Sequence, residues 1–128
     1  MPDLTVTLIQ TDTVWEDIPA NLKRVQAEIE TLSSATDIVI LPEMFSTGFS
    51  MRAEALAEEM DGAAVTWMRN TAAEKGAVIT GSVMIRDEAR YYNRLIWACP
   101  DGSMETYDKK HLFGYAGEDK VYTPGRRR

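Results

Sequence analysis

The sequence predicts an α/β fold with a mixed sheet, parallel in its first part and antiparallel in its second. Two observations carry that expectation. Residues 4–10, an amphipathic segment behind them and the apolar run Ile38, Val39, Ile40 and Leu41 follow one another as strand, helix and strand, a βαβ unit that is right-handed by strong preference. Later strand-like runs at residues 77–85, 91–99 and 104–108 are separated by short polar turns, which return the chain antiparallel. The 128 residues suffice for one domain and not for two.

Each element has its own signal. Residues 4–10 alternate weakly and break at Thr11, Asp12 and Thr13. Ile18, Leu22, Val25, Ile29 and Leu32 are spaced by four, three, four and three, one face of a helix with Pro19 tolerated in its first turn and Ser33-Ser34 fraying its end. The run at residues 38–41, stopped by Pro42, reads as a strand covered on both faces. A loop over residues 43–50 follows, then a short helix at residues 53–60. A second helix begins after Asp61-Gly62, turns Val65, Met68 and Ala72 inward and ends at Lys75-Gly76. The strand at residues 77–85 is interrupted by Gly81; residues 87–90 form a turn, and Pro100-Asp101-Gly102-Ser103 forms the next. Residues 109–128 show no convincing period and end on three arginines, which read as a solvated tail. Either this stretch packs as a functional loop or the chain continues beyond it, and the second reading is favoured.

Composition bounds the function. Hydrophobic residues make up 45% and charged residues 27%, as in an ordinary globular protein. A single cysteine excludes a disulfide framework and a cysteine-rich zinc site, and a single histidine leaves little for a His/Cys-ligated metal. A net charge of -6 disfavours nucleic acid and anionic membranes as partners. No apolar run approaches a membrane span, and the start lacks the layout of a secretory signal, so a cytoplasmic location is expected.

Among residues that could carry chemistry, Glu43 stands first. It directly follows a buried strand, and ligand sites in open α/β sheets lie beyond the carboxyl ends of strands. Flanked by Pro42, Met44 and Phe45, its carboxylate is expected to be partly desolvated, a condition that suits a general base. Lys109 and Lys110 follow the last strand, so one points into the sheet end and the other out. His111 reads as a hydrogen-bonded core residue, and Cys99, after Trp97 and Ala98, as inert packing. A flavodoxin-like or Rossmann-like domain is disfavoured, because residues 11–16 contain no glycine for a phosphate loop.

Two stretches resemble motifs of a known family. Leu41-Pro42-Glu43-Met44-Phe45-Ser46-Thr47-Gly48-Phe49 is similar to the glutamate motif of the nitrilase, or carbon–nitrogen hydrolase, superfamily. Tyr107-Asp108-Lys109-Lys110-His111-Leu112-Phe113 is similar to its lysine motif, where the catalytic lysine stands two residues before the histidine; that selects Lys109. Gly81-Ser82 and Tyr91-Tyr92-Asn93-Arg94-Leu95 resemble the family's central strands. Glu118, seven residues before Gly125, resembles the second glutamate that helps to position the lysine and the substrate. The wording of both motifs resembles the omega-amidase-like branch, whose members hydrolyse the terminal amide of short 2-oxo-dicarboxylic acid monoamides.

The resemblance implies a Glu–Lys–Cys triad, with Glu43 as base and Lys109 as oxyanion partner, needing no metal or organic cofactor. It implies a small-molecule amide substrate and self-association into a homo-oligomer. The family's cysteine lies beyond the Pro-Gly stretch, where this sequence stops, and Cys99 precedes the lysine motif. Residues 1–128 are therefore expected to be a single incomplete domain, the N-terminal half of an αββα sandwich. On that basis the chain should expose a sheet edge and apolar helix faces and be inactive alone. The competing reading is a non-catalytic binding module derived from such an enzyme.

Overall fold

A computed structural model describes residues 2–32 and 35–128. Five strands form one sheet in the order β1-β2-β3-β4-β5: β1 (Val6–Leu8), β2 (Ile38–Ile40), β3 (Val78–Asp87), β4 (Arg90–Ala98) and β5 (Met104–Asp108). β1, β2 and β3 pair in parallel, and the two remaining ladders are antiparallel, as the sequence predicts. Consequently β1, β2, β3 and β5 run one way and β4 the other. The carboxyl ends of β2 and β5 and the start of β4 meet at the same end of the sheet.

Helix α1 (Ile18–Glu30) is capped by Asp17, whose carboxylate accepts the Ala20 N–H at 3.0 Å, and Pro19 sits in its first turn. The expected fraying at Ser33-Ser34 lies outside the described residues. Helix α3 (Ala63–Lys75) ends at Gly76 with φ 65°, the left-handed cap that its sequence anticipates. Both helices pack on one face of the sheet. Val25 and Ile29 of α1 and Val65, Met68 and Ala72 of α3 close over Val39, Ile79, Val83, Ile85 and Ile96.

Several elements depart from the sequence reading. β1 shrinks to Val6–Leu8, which pair with Ile38–Ile40, with Thr5 O and the Ile9 N–H closing the ladder at its two ends. Helix α2 covers only Ala53–Leu56. Beyond it the chain straightens: the Glu58 N–H donates to Met84 O, the Arg86 N–H donates to Glu58 O, and the Glu58 carboxylate accepts from the Ala64 and Val65 amides at the start of α3. Burial raises Glu58's proton affinity above the ordinary carboxylate range, and those two N–H groups oppose it. Gly81 does not interrupt β3. It lies inside the ladder opposite Ile96, and a Cβ there would come within 2.9 Å of Leu41 Cβ and 3.3 Å of Phe45 Cδ1. Glycine is what lets the turn after β2 press against β3.

The largest departure concerns coverage. β2 is not buried on both faces. Alternation places Val6, Leu8, Ile40, Leu95 and Tyr107 on the face opposite the helices, and all five are exposed. The uncovered apolar surface is thus a sheet face rather than the expected helix faces, because α1 and α3 both pack on the other side. An apolar run reads the same from sequence whether one face or two are covered. At one end this open face is closed by a second cluster, in which Met44, Ala53, Met84 and Tyr122 are buried.

The stretch 109–128 holds more order than its sequence suggests. It contains a 3-10 turn, Gly114–Ala116, and the four-residue helix α4 (Glu118–Val121). It then returns to the sheet: the Thr123 N–H donates to Tyr91 O at 2.7 Å, and the Gly125 N–H donates to Lys109 O at 3.0 Å. A Cβ on Gly125 would overlap the Asp108 carbonyl. Short helices held by such contacts carry no periodic signal. The three terminal arginines are exposed. Among the described residues, no helix is long and apolar enough to cross a membrane.

Candidate active site

Glu43 leaves the end of β2 on a tight turn. Met44 adopts φ 49°, an uncommon conformation for a non-glycine residue, and is fully buried. Its N–H donates to Ser82 Oγ at 2.8 Å, and its carbonyl accepts from the Thr47 and Gly48 amides. This fixed elbow aims the Glu43 side chain across the sheet end toward Lys109, which follows β5.

The three charged side chains singled out in the sequence converge. Lys109 Nζ donates to Glu43 Oε1 at 2.7 Å and to Glu118 Oε2 at 3.2 Å, and lies 3.1 Å from Glu118 Oε1. Glu118 is fully buried, and its Oε1 also accepts the Phe113 N–H at 3.0 Å. The ammonium lies 5.2 Å from the centre of the Phe49 ring. Partial burial disfavours the charged ammonium, but its hydrogen bonds to Glu43 and Glu118, reinforced by their charges, outweigh that and raise its proton affinity above the ordinary lysine range. Lys109 therefore stays a cation across the neutral range.

The backbone of Lys109 is gripped from both sides. Its N–H donates to Asn93 O at 2.9 Å, and its carbonyl accepts from Gly125. One residue back, Asp108 forms an ion pair with Arg94 at 2.6 Å, fastening β5 to β4. The charge and hydrogen bond of Asp108 raise the proton affinity of Arg94 against the pull of its burial. Below the site, Tyr122 donates its hydroxyl to Ser50 O at 2.7 Å. Burial, together with the charge of Glu118, pushes the Tyr122 phenol well above its usual range.

Other expectations need correction. The Glu43 side chain is 49% exposed, so this chain's own atoms cover it only in part. His111 is exposed rather than a core residue, because the turn after β5 carries it out while Leu112 packs inward. Cys99 is half-buried, its N–H paired with Ser103 O at the turn after β4. It stands six positions along from Asn93, roughly 20 Å at about 3.4 Å per residue. Cys99 thus sits at the opposite end of the sheet from Glu43 and Lys109.

Two contacts are not legible in the sequence. Asn93 donates through Nδ2 to Glu43 Oε1 at 2.8 Å, and Ser82 holds the elbow. Both lie within strands whose resemblance marks the position but not the role. Only the register, which sets Ser82 opposite Leu95 and Asn93 opposite Met84, brings them to the site. Beside them is a cavity of about 300 Å³ on the open face, lined by Ile40, Thr80, Leu95 and Tyr107 with Glu43 and Lys109 at its polar end. Among the described residues, no group of three His, Cys, Asp or Glu side chains converges as a metal site would require.

Comparison with known proteins follows the same lines. A family model described as carbon–nitrogen hydrolase matches residues 5–128. Omega-amidase YafV of Escherichia coli K12 is 40% identical over 128 residues, covering all of this chain and 49% of that protein. The 2-oxoglutaramate amidase of Bacillus subtilis is 30% identical over 124 residues, covering 94% of this chain and 48% of the other. The crystal structure of XC1258 from Xanthomonas campestris, described as a CN-hydrolase superfamily protein with an arsenic adduct in its active site, superposes with a TM-score of 0.95. It is 48% identical, over all of this chain and 48% of that one. The chain spans about half the length of the relatives it matches.

Proposed function

This chain belongs to the carbon–nitrogen hydrolase family, and from that premise we propose that it supplies the glutamate and lysine of an omega-amidase-like active site whose thiol nucleophile comes from polypeptide outside it. The observation that carries this reading is the convergence of Glu43, Lys109 and Glu118 at one sheet end, with Glu43 brought in from 66 residues before Lys109. The names of the relatives, omega-amidase and 2-oxoglutaramate amidase, support a short monoamide of a 2-oxo-dicarboxylic acid as substrate.

In the proposed reaction Glu43 takes the proton of the attacking thiol as sulfur bonds to the amide carbon. The oxyanion of the tetrahedral state is held by Lys109. Of its three N–H donors, Glu43 and Glu118 engage two, which leaves one for the substrate oxygen. Glu43 returns its proton to the nitrogen as the C–N bond breaks and ammonia leaves. It then takes a proton from the water that attacks the thioester and passes one to the departing sulfur. Glu118, buried and paired, holds the ammonium in place throughout. Cys99 takes no part, being at the far end of β4.

The same reading assigns residues 1–128 to an incomplete catalytic unit. We propose that the 128-residue chain releases no ammonia from 2-oxoglutaramate by itself and that its open apolar face drives self-association. The test is to express the chain with its downstream reading frame and assay ammonia release from 2-oxoglutaramate. Glu43→Gln and Lys109→Ala should each lower kcat by at least about a hundredfold, the scale of a general base or an oxyanion donor. Full activity in both variants would end the assignment.

A further inference from the structure

Asn93 is 2% exposed on β4, and its side-chain amide is used at one end only. Nδ2 donates to Glu43 Oε1 at 2.8 Å, the same oxygen that accepts from Lys109 at 2.7 Å. At the other end Oδ1 is buried and accepts no hydrogen bond among the described residues. Because an ionised carboxylate only accepts, the amide cannot be turned round to satisfy Oδ1 without losing the bond to Glu43. Leucine would fill a similar volume with no orphaned acceptor. A buried amide with one unsatisfied end is therefore best explained by what its satisfied end does.

We propose that Asn93 is a positioning residue for Glu43. Together with Lys109 it loads Oε1 with two donors, fixes the plane of the carboxylate and leaves Oε2 as the oxygen that takes and returns the proton. The inference rests on reading Glu43 as the general base and goes beyond it by dividing the work between its two oxygens. The wider geometry agrees. The Asn93 carbonyl accepts the Lys109 N–H, so one residue of β4 registers both the base and the cation. Ser82 on β3 holds the main chain beside Glu43 through the Met44 N–H, while Asn93 holds the carboxylate. Asp has the shape of Asn but donates nothing and adds a negative charge beside Glu43, so Asn93→Asp separates donation from packing.

NMR on the 128-residue chain tests this without requiring activity. The Glu43 13Cδ signal and the Asn93 side-chain 15N–1H pair are followed together from acidic to neutral pH. The Asn93 resonances should move in step with Glu43 and stop responding in Glu43→Gln. In Asn93→Leu and in Asn93→Asp the Glu43 13Cδ signal should move away from its parent position at neutral pH, because Oε1 has lost a donor. Should Asn93→Leu fail to fold, the coupled titration in the parent chain decides alone. Asn93 resonances indifferent to Glu43, or a Glu43 13Cδ signal unmoved in Asn93→Leu, would overturn the proposal. Amidase activity surviving in Glu43→Gln of the extended protein would remove the base assignment instead, leaving the NMR coupling intact.

Discussion

On one face of the sheet Val39, Ile79, Val83, Ile85 and Ile96 are each at most 1% exposed beneath α1 and α3; on the other, Val6, Leu8, Ile40, Leu95 and Tyr107 retain between 37% and 74% of their surface. Both faces carry β-branched, leucine or aromatic side chains at alternate positions of the same strands, so residue type does not separate them. What separates them is the layer above. The helical face holds the chain together. Among the described residues, Met44, Met84 and Tyr122 close the open face under the charged cluster, and beyond it Val6, Leu8, Ile40, Leu95 and Tyr107 are exposed. Soluble monomers rarely leave such a surface uncovered. The site thus stands at the border between a covered core and an exposed apolar face.

The contrast is broken most severely from the helical side. Phe45 is fully buried against Gly81 and Trp67, one turn from Glu43. Phe45→Ala should destabilise the chain by about 3–5 kcal/mol in urea unfolding. A loss below about 1 kcal/mol would mean that the helical face is not the stabilising one. Glu118→Ala comes next. It orphans the Phe113 N–H and removes one partner of Lys109, which is itself 29% exposed, so a cost of roughly 1–3 kcal/mol is expected. Glu118→Gln should recover part of it, since an amide oxygen still accepts from Phe113.

Alkaline pH probes the border itself. Lys109 and Tyr122 both have proton affinities raised by folding. Their stabilisation is complete below the values they have in the unfolded chain, about pH 10 for both. It is lost as pH rises through their higher folded values. Unfolding free energy should therefore fall above about pH 10, and less steeply in Tyr122→Phe or Lys109→Met than in the parent. An equal slope in all three would separate these groups from the fold. The smallest effect belongs to the open face. Leu8→Ser and Ile40→Thr should each change stability by no more than about 0.5 kcal/mol yet weaken self-association in sedimentation. Unaltered association would show that the face is not what drives it.

How much of this could be read from the sequence differs by feature. Glu43, Lys109 and Glu118 were legible because each stands in a short motif whose wording is local. The helix spacing from Ile18 to Ile29 was legible because amphipathicity is periodic. Asn93 and Ser82 were not, since their contacts with the Glu43 loop arise from strand register between residues 38 and 50 positions apart. The open face was hidden for another reason: Ile38, Val39, Ile40 and Leu41 spell the same apolar run whatever lies on either side. Residues 109–128 concealed their order because Tyr122, Thr123 and Gly125 are held by single contacts to Ser50, to Tyr91 of β4 and to Lys109 rather than by a repeating face.

The division of the active site between this chain and polypeptide outside it is tested by ammonia release from 2-oxoglutaramate, measured with the purified 128-residue chain and with the same chain extended by its downstream reading frame. The chain alone should show no turnover, and the extended protein should show turnover that disappears in Glu43→Gln. Turnover by the 128-residue chain that is lost in Cys99→Ser would contradict that division, because the nucleophile would then lie at the opposite end of the sheet from Glu43 and Lys109.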